Sequence, residues 1–507
     1  MTVTAAGAND LSWLRGQRVL VAGGRVSGQA TIEPLVALGA SVTVADSTLD
    51  FADRCAELGA DTTVTTSSIE EDRESITRFA LVVTSPGFRP DAPILAAAAG
   101  HGIPIWGDVE LSWRVDHSGL FGPPRKWLVV TGTNGKTTTT SMLASILEAA
   151  GLAGRACGNI GLPVLAALAD TSPRVEYLAV ELSSFQLHWA PSVRPDAGVV
   201  LNVAEDHLDW HGGMAAYAEA KARALSGKVA VVGLDDAIAA KLGNGAVADI
   251  VVGFRLGAPA RGELGVAAGH LVDNAFGDGV QLAEAADIDP PGPAGVMDAL
   301  AAAALARAVG IDADAVRAGL TAHKVGPHRG AVVGDVGSVR YVDDSKATNP
   351  HAARPSILAH DRVVWVAGGL LKGASVDGLV TEVRSRLAGV VLLGRDAGDI
   401  EQALTRHAPE VPVVRVVTGD DAEVSENHSS STQVIRLPSG TDADAVMTAV
   451  VREAAIMASP GSAVVLAPAA ASLDMFDSYG HRGDSFAAAV GALSDPPGSA
   501  NKAGIAE

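Results

Sequence analysis

Cysteine is nearly absent. Only Cys55 and Cys157 occur in 507 residues, too few for a disulfide framework or a cysteine-based metal site, and the scarcity fits a reducing compartment. Aromatic residues are sparse as well, at 4%, so the interior has to be built from Ala, Val, Leu and Ile, which the 48% apolar content supplies. Basic residues are outnumbered: 38 Lys and Arg against 58 Asp and Glu leave a formal charge of −20. That balance argues against a general nucleic-acid binder, because a phosphate backbone needs basic patches. A single nucleotide needs only a local donor-rich pocket. No apolar run approaches the roughly 20 residues of a membrane span; the stretch 299–309 is Ala-rich, short and interrupted by Arg307. The first 16 residues lack the basic segment followed by an apolar stretch that marks a secretory leader. These absences lead to the expectation of a soluble, cytoplasmic protein with neither a membrane nor a nucleic acid as partner.

Short β-rich runs alternate with Ala/Leu-rich helical stretches along most of the chain, the pattern of an α/β protein with parallel sheets. At roughly 100–200 residues per domain the length suggests about three domains, and the pattern restarts three times. The first block has expected strands at 18–22, 41–45, 81–84 and 103–106, with a helix over 29–38. The second opens after Gly122-Pro123-Pro124, with strands at 127–130, 177–180, 197–201 and 229–232, and ends near Gly326-Pro327 after a helix over 296–309. The third has strands at 339–342, 363–367, 390–393, 413–417 and 463–466. The acidic, Ser-rich stretch 420–432 reads as a solvated loop or insertion, and the tail from Asp495 as frayed.

The strongest local signal is Gly132-Thr133-Asn134-Gly135-Lys136-Thr137. It follows an apolar strand and precedes a helix with apolar positions at Met142, Leu143, Ile146 and Leu147, the context of a phosphate-cradling loop. Glycines let backbone amides crowd phosphate oxygens, and the helix N-terminus adds positive potential. Lys136 neutralises the terminal phosphates and the Thr137 hydroxyl can reach Mg²⁺. The eight-residue form of the motif is not met, since Val130 stands where its first Gly would be.

Carboxylates follow at the ends of neighbouring strands. Glu181 ends the apolar run 177–180, and a carboxylate at the C-terminal end of a buried parallel strand faces the ligand edge of the sheet. Glu205, Asp206, His207, Asp209 and His211 lie within seven residues, as either a metal site or a polar loop with a helix cap. Mg²⁺ prefers oxygen ligands, which leaves His207 open on chemistry alone. Lys221, on a helix over 214–225, reads by itself as a solvated helical lysine.

Taken together, these segments resemble the Mur ligase family over nearly the whole chain, and within it the members that add D-glutamate. Gly132–Thr138 is similar to the family's ATP loop, residues 181–187 (Glu-Leu-Ser-Ser-Phe-Gln-Leu) to its next motif, and residues 206–209 to its Asp-His motif. Gly326-Pro327-His328-Arg329 resembles the entry to the C-terminal domain. The segments 344–349 (Asp-Ser-Lys-Ala-Thr-Asn) and 468–476 discriminate most among members. The resemblance implies three domains: a Rossmann-like UDP-binding domain over 1–121, a P-loop ATPase-like ATP-binding domain with a parallel sheet over 122–326, and a Rossmann-like domain over 327–507 that binds the amino acid and completes the ATP site. It implies an ATP-dependent ligase acting in peptidoglycan precursor synthesis, with UDP-N-acetylmuramoyl-L-alanine and D-glutamate as substrates, two Mg²⁺ ions, and a monomeric state.

By the same resemblance, Gly132, Thr133, Asn134, Gly135, Lys136, Thr137 and Thr138 bind ATP, joined by Asp298, His328, Arg329 and Asp344. Thr137, Glu181, His207 and a CO₂-derived carbamate on Lys221 hold the metal ions; a carbamate turns an ammonium into an anion with two oxygens. Asp46, Ser85 and Gly87 meet UDP, and Asn159, Ser183 and Gln186 the muramoyl–alanine part. Lys346, Thr348, Lys372, Ser472, Leu473 and Tyr479 meet D-glutamate, whose two negative charges call for cationic partners. Three departures stand out. A family His-Asn-x-x-Asn run reads Ala294-Gly295-Val296-Met297-Asp298 here, and Asp298 accepts where an Asn both accepts and donates. Leu370 stands where an Asp is common, and Asp46-Ser47-Thr48 lacks an Arg seen in some members.

Three other readings compete. A sibling amide ligase, including a folate-polyglutamate type, shares the ATP loop but not the segment 344–349. A nucleotide-binding switch explains only Gly132–Thr137. A dinucleotide-dependent dehydrogenase rests on the turn Gly23-Gly24-Arg25-Val26-Ser27-Gly28, an approximate fingerprint.

Overall fold

Three sheets organise the chain. A computed structural model describes residues 10–170, 173–419 and 432–494; the acidic stretch 420–431 and the tail from Asp495 lie outside the described residues.

The first sheet contains β1 (Arg18–Ala22), β2 (Ser41–Asp46), β3 (Thr62–Thr65), β4 (Leu81–Thr84) and β5 (Ile105–Gly107). Its order is β3-β2-β1-β4-β5, and every pairing is parallel. The second has nine strands: β6 (Lys126–Thr131), β7 (Gly154–Gly158), β8 (Tyr177–Glu181), β9 (Ala197–Val200), β10 (Val229–Gly233), β11 (Ile250–Phe254), β12 (Glu263–Ala267), β13 (His270–Asp273) and β14 (Val280–Glu284). They run β14-β13-β12-β11-β10-β9-β6-β8-β7, parallel except for the β12-β13-β14 meander. The third sheet holds β15 (Ala331–Val336), β16 (Val339–Asp343), β17 (Val363–Ala367), β18 (Leu387–Leu392), β19 (Val413–Thr418), β20 (Thr432–Leu437) and β21 (Ala463–Leu466), in the order β15-β16-β21-β17-β18-β19-β20. Only the β15-β16 pair is antiparallel. The α/β class expected from the sequence is what the structure has.

The central strands are apolar along most of their length because both faces of a parallel sheet are covered; β4, β9, β10, β17 and β21 are buried throughout. Edge strands escaped the sequence reading for the converse reason. Thr62-Thr63-Val64-Thr65 and Gly154-Arg155-Ala156-Cys157-Gly158 carry no apolar run, since each pairs on one side only. β11 to β15 and β20 were missed as well. The strand expected at 103–106 begins later, at Ile105, and the helix expected over 214–225 ends at Ala222, with one tighter turn to Leu225. Thr432, expected in the solvated stretch, instead opens β20.

By contact grouping the chain forms two compact units: residues up to 203 with 214–324, and 204–213 with 325 onward. In the first unit the first two sheets share one apolar core, in which Val19, Val21, Val42, Val44 and Val83 pack with Trp127, Val129, Leu178 and Val180. The opposite face of the second sheet is covered by the helices Lys136–Ala149 and Pro293–Ala308, the latter buried almost entirely through alanines. In the second unit both faces of the third sheet are covered, one around Trp365 and the other around Phe486. Among the described residues no helix is long and apolar enough to cross a membrane.

Where the first sheet hands over to the second, a buried ion pair fixes the junction. Asp116 lies in the last turn of the helix Asp108–Ser118, and its carboxylate accepts from Arg125 Nη1 at 2.8 Å, Arg125 N at 2.9 Å and Trp127 Nε1 at 2.9 Å. Arg125 Nη2 continues to Leu168 O at 2.7 Å. Both charged side chains are fully buried. Removing one partner strands the other without water, so Asp116→Ala should cost about 3–5 kcal/mol of stability, read as a lower denaturant midpoint for the first unit.

Candidate active site

The Gly-rich loop after β6 is anchored from the neighbouring strand. β6 lies between β8 and β9, and just beyond them Asn202 clamps the loop. Its side chain accepts from Asn134 N at 2.9 Å and donates to Asn134 O at 3.1 Å, while its backbone carbonyl accepts from Thr133 N at 3.0 Å. Gly135 takes φ 85° at the N-cap of the helix Lys136–Ala149, a left-handed turn open to glycine at little cost. A Cβ there would lie 2.2 Å from Asp298 Oδ1. Asp298 is buried, and its Oδ1 accepts from Thr139 Oγ1 at 3.1 Å, which puts its carboxylate against the first turn of the phosphate-loop helix.

Two lysines reach this loop. Lys136 Nζ donates to Gly132 O at 3.0 Å and Thr133 O at 2.8 Å. Lys221 Nζ donates to the same Gly132 carbonyl at 2.7 Å and lies 4.6 Å from the Tyr217 ring centroid. The Tyr217 hydroxyl in turn meets Thr133 Oγ1 at 2.9 Å. Lys221 is 1% exposed, so the solvated helical lysine read from the sequence is not what folds. Its helix presents it inward.

Glu181 sits beside Val130 in the β6–β8 register. Its Oε1 accepts from Asn159 Nδ2 at 2.9 Å. Its Oε2 is buried and has no hydrogen-bond partner, an arrangement that costs free energy unless something positive completes it. Among the described residues no group of three or more His, Cys, Asp or Glu side chains is gathered as a metal site. A cation here would be met by Glu181 together with oxygens of water or phosphate, which suits Mg²⁺. Ser183 and Gln186 form a reciprocal capping box: Gln186 N donates to Ser183 Oγ at 3.1 Å, and Ser183 N to Gln186 Oε1 at 3.0 Å. Burial pushes the neighbouring Asp108 carboxyl up to about 6, against the lowering effect of Val109 N, Gln186 and Ser27.

At the first sheet, Asp46 ends β2 and its carboxylate is spent on backbone. Oδ2 accepts from Gly24 N at 2.5 Å and Oδ1 from Ser47 N at 2.7 Å. Burial opposes its ionisation, but these amides outweigh it and hold the group below the ordinary carboxylate range. Ser85 Oγ is buried without a partner, and Gly87 faces open space.

In the second unit, His207 heads the short helix Leu208–His211 with φ 55°, and its Nε2 is 3.5 Å from Asp206 Oδ2. Asp206 Oδ1 pairs with Lys372 Nζ at 2.8 Å. His328 also has a left-handed backbone, φ 63°, and its Nδ1 meets Asp343 Oδ2 at 2.6 Å. Lys346 Nζ lies 3.8 Å from the Tyr479 ring centroid, close enough for a cation–π contact. Burial pushes the Asp344 carboxyl up to about 6, against its Ser356 hydrogen bond and the nearby Arg329. Arg482, 1% exposed, draws the remaining segments together. Its guanidinium donates to Ser345 Oγ at 2.9 Å, Ser345 O at 2.8 Å, Ala470 O at 3.1 Å and Gly368 O at 3.3 Å. The stretches bearing Lys346 and Thr348, Lys372, and Ser472 therefore converge on one side chain. Ser472, two residues after Ala470, is buried, whereas Leu473 is 71% exposed.

Known proteins bear on this arrangement. The Mur ligase middle domain model matches residues 130–306. The UDP-N-acetylmuramoylalanine–D-glutamate ligase of Rhodococcus jostii (strain RHA1) is 69% identical over 483 residues, 95% of this chain and 97% of that protein. The protein of the same name from Nocardia farcinica is 59% identical over 96% of this chain and 98% of its own length. The chain belongs to the Mur ligase family. Among solved structures, the UDP-N-acetylmuramate-alanine ligase of Thermotoga maritima superposes with a TM-score of 0.52 at 17% identity, covering 94% of this chain and 99% of that one. MurF of Acinetobacter baumannii gives 0.51 at 17%, covering 90% and 88%. At that identity the likeness concerns the fold alone.

For this Mur ligase family member the sequence reading passed over Tyr217, Asn202 as a clamp, Asp343 and Arg482. Asp343 had a readable signal, since it adjoins Asp344 at a strand end. Arg482 had none, because a lone Arg on a C-terminal helix announces nothing about the carbonyls it will meet. Gly135→Ala meets both a collision with Asp298 and an unfavourable φ, so it should weaken ATP binding by at least about tenfold, measured by calorimetric titration of ATP into the purified protein.

Proposed function

We infer that this chain joins D-glutamate to UDP-N-acetylmuramoyl-L-alanine, with cleavage of ATP to ADP and phosphate, as a step of peptidoglycan precursor synthesis. The observation that carries the reading is the 69% identity, over 95% of the chain, to a protein named for that activity. In this reading the chain has three domains: residues 1–121 bind UDP around Asp46, Ser85 and Gly87, residues 122–326 bind ATP, and residues 327–507 bind D-glutamate and complete the ATP site. It acts as a monomer in the cytoplasm.

The chemistry follows from the reactants. A carboxylate does not react with an amine near neutral pH, because its oxygen is a poor leaving group. Transfer of the ATP γ-phosphoryl group to the alanine carboxylate breaks the β–γ P–O bond, releases ADP and gives an acyl phosphate. The amine of D-glutamate, having lost its proton, attacks the acyl carbon. The tetrahedral adduct expels inorganic phosphate and leaves the amide. Lys136, within 3.0 Å of two loop carbonyls, would turn to the phosphates and offset the charge that develops on them. Thr137 and Glu181 would hold Mg²⁺, whose contribution when bound is charge neutralisation. His207 and a carbamylated Lys221 would hold a second ion. The unpartnered Glu181 Oε2 supports the first assignment, and the inward position of Lys221 beside Gly132 supports the second.

Asn159, Ser183 and Gln186 would face the acceptor, with His328, Arg329, Asp344 and Asp298 around the nucleotide. Lys346, Thr348, Lys372, Ser472, Leu473 and Tyr479 would receive D-glutamate. No protein nucleophile is required.

The direct test follows ADP release from protein, ATP, Mg²⁺ and UDP-N-acetylmuramoyl-L-alanine with and without D-glutamate. Release should depend on D-glutamate and on no competing amino acid; indifference to it would remove the substrate assignment. Lys136→Ala should lower kcat by at least about a hundredfold, and a rate near that of the unmodified protein would refute the role of the loop lysine. Lys221→Ala should be inactive and partly rescued by added short carboxylates, which stand in for the carbamate; full activity without them would dismiss the carbamate.

A further inference from the structure

The loop Gly368-Gly369-Leu370-Leu371-Lys372, after β17, is held in a backbone state it would not adopt alone. Lys372 has φ 53°, a left-handed conformation that costs a non-glycine residue free energy and persists only where the surroundings impose it. Gly368 and Gly369 have φ 127° and 129°. A Cβ on the first would lie 1.8 Å from Leu393 O, and on the second 2.0 Å from Ala471 O. The loop is therefore wedged between two segments. From one side, Gly368 N donates to Pro468 O at 2.9 Å, and Leu370 and Ala471 exchange two backbone bonds of 2.8 Å. From the other side the grip includes a side chain. Asp396 Oδ2 accepts from Leu371 N at 2.8 Å, and Asp396 N donates to Gly369 O at 3.0 Å.

Asp396 is the N-cap residue of the helix Ala397–His407. An aspartate there ordinarily accepts from the second or third amide of its own helix, one of the better local stabilisers a helix end has. Here it makes no such bond. The carboxylate reaches back to the residue before Lys372 instead. The helix forgoes its cap, and the loop gains an anchor at the Leu370–Leu371 peptide, one peptide ahead of the left-handed Lys372.

We propose that Asp396 is a positioning residue for the incoming amino acid, fixing the left-handed turn from which the Lys372 ammonium, paired here with Asp206 Oδ1 at 2.8 Å, turns to a carboxylate of D-glutamate. The proposal rests on the reading of Lys372 as a D-glutamate ligand. Asp396 itself touches no reactant; it acts through the Leu371 amide.

Steady-state kinetics on the full-length protein separate this from a purely structural role. Asp396→Ala removes the acceptor and should raise KM for D-glutamate about tenfold, with KM for ATP and for the UDP-linked acceptor changed by less than about twofold. Asp396→Asn keeps a carbonyl oxygen for Leu371 N and should recover most of the loss. Asp396→Ser supplies a side chain suited to cap its own helix but too short to hold the loop; it should fold normally and still show the raised KM. Asp399→Ala, on the exposed side of the same helix, serves as the control. Unchanged KM for D-glutamate in the Ser variant, or a uniform fall in all kinetic constants that tracks a lowered Tm and is not relieved in the Asn variant, would overturn the proposal. Absence of D-glutamate dependence in the unsubstituted protein would instead strike the underlying functional reading.

Discussion

Two ammonium groups share one carbonyl oxygen, that of Gly132: Lys136 approaches it at 3.0 Å and Lys221 at 2.7 Å. An oxygen with two lone pairs can accept both, and Lys136 also donates to Thr133 O at 2.8 Å, so both lysines lean on the loop backbone and lend it a positive field. Asn202 braces the loop from the next strand, and Gly135 leads it into a helix whose N-terminus adds to the same field. Every other feature of the second sheet can be read as support for this arrangement: apolar strands that fix where the loop leaves the sheet, and a helix packed under it by small alanines.

The second unit solves a different problem. Its candidate ligands follow the adjacent parallel strands β16, β21 and β17, with Lys346 and Ser472 more than a hundred residues apart in sequence. Beyond those strands, their common support is a single buried guanidinium. Arg482 spends its donors on Ser345, Gly368 and Ala470, and burial pulls its pKa down to about 10 against the opposing pull of Asp474 and Asp343. The planar fork suits several carbonyls at fixed angles, which a lysine could not match. Backbone in sparsely populated conformations accompanies this scaffold at His328, Lys372 and Ala469, as expected where loops are shaped for ligands at some cost in intrinsic stability.

Much of this was legible beforehand, for a reason that particular residues make plain. The strand–Gly-rich turn–Lys–helix context of residues 127–147 is a local signal, and the structure has it as read. The buried strands β4, β9, β10, β17 and β21 announce themselves as unbroken apolar runs. What stayed hidden depends on pairing or depth. β3 and β7 are edge strands without an apolar signature, and the β12–β14 meander alternates too briefly to register. The burial of Lys221 reverses its plain reading, because a helical lysine looks the same in sequence whichever face it occupies. The capping box of Ser183 and Gln186 gives a local backbone reason for a motif otherwise known only by resemblance.

The sequence by itself determined the class of fold, the strand–Gly-rich turn–helix of residues 127–147 and the family, since these rest on composition, short-range periodicity and contiguous motifs. Only the tertiary structure decided which groups meet: that Lys136 and Lys221 share a carbonyl, that Glu181 keeps an oxygen unpartnered, and that Arg482 and Asp396 hold loops rather than face solvent. The physical reason is that chain order records neighbours a few residues away. A hydrogen bond between positions separated by a hundred residues exists only once burial has removed the water that would otherwise satisfy both ends.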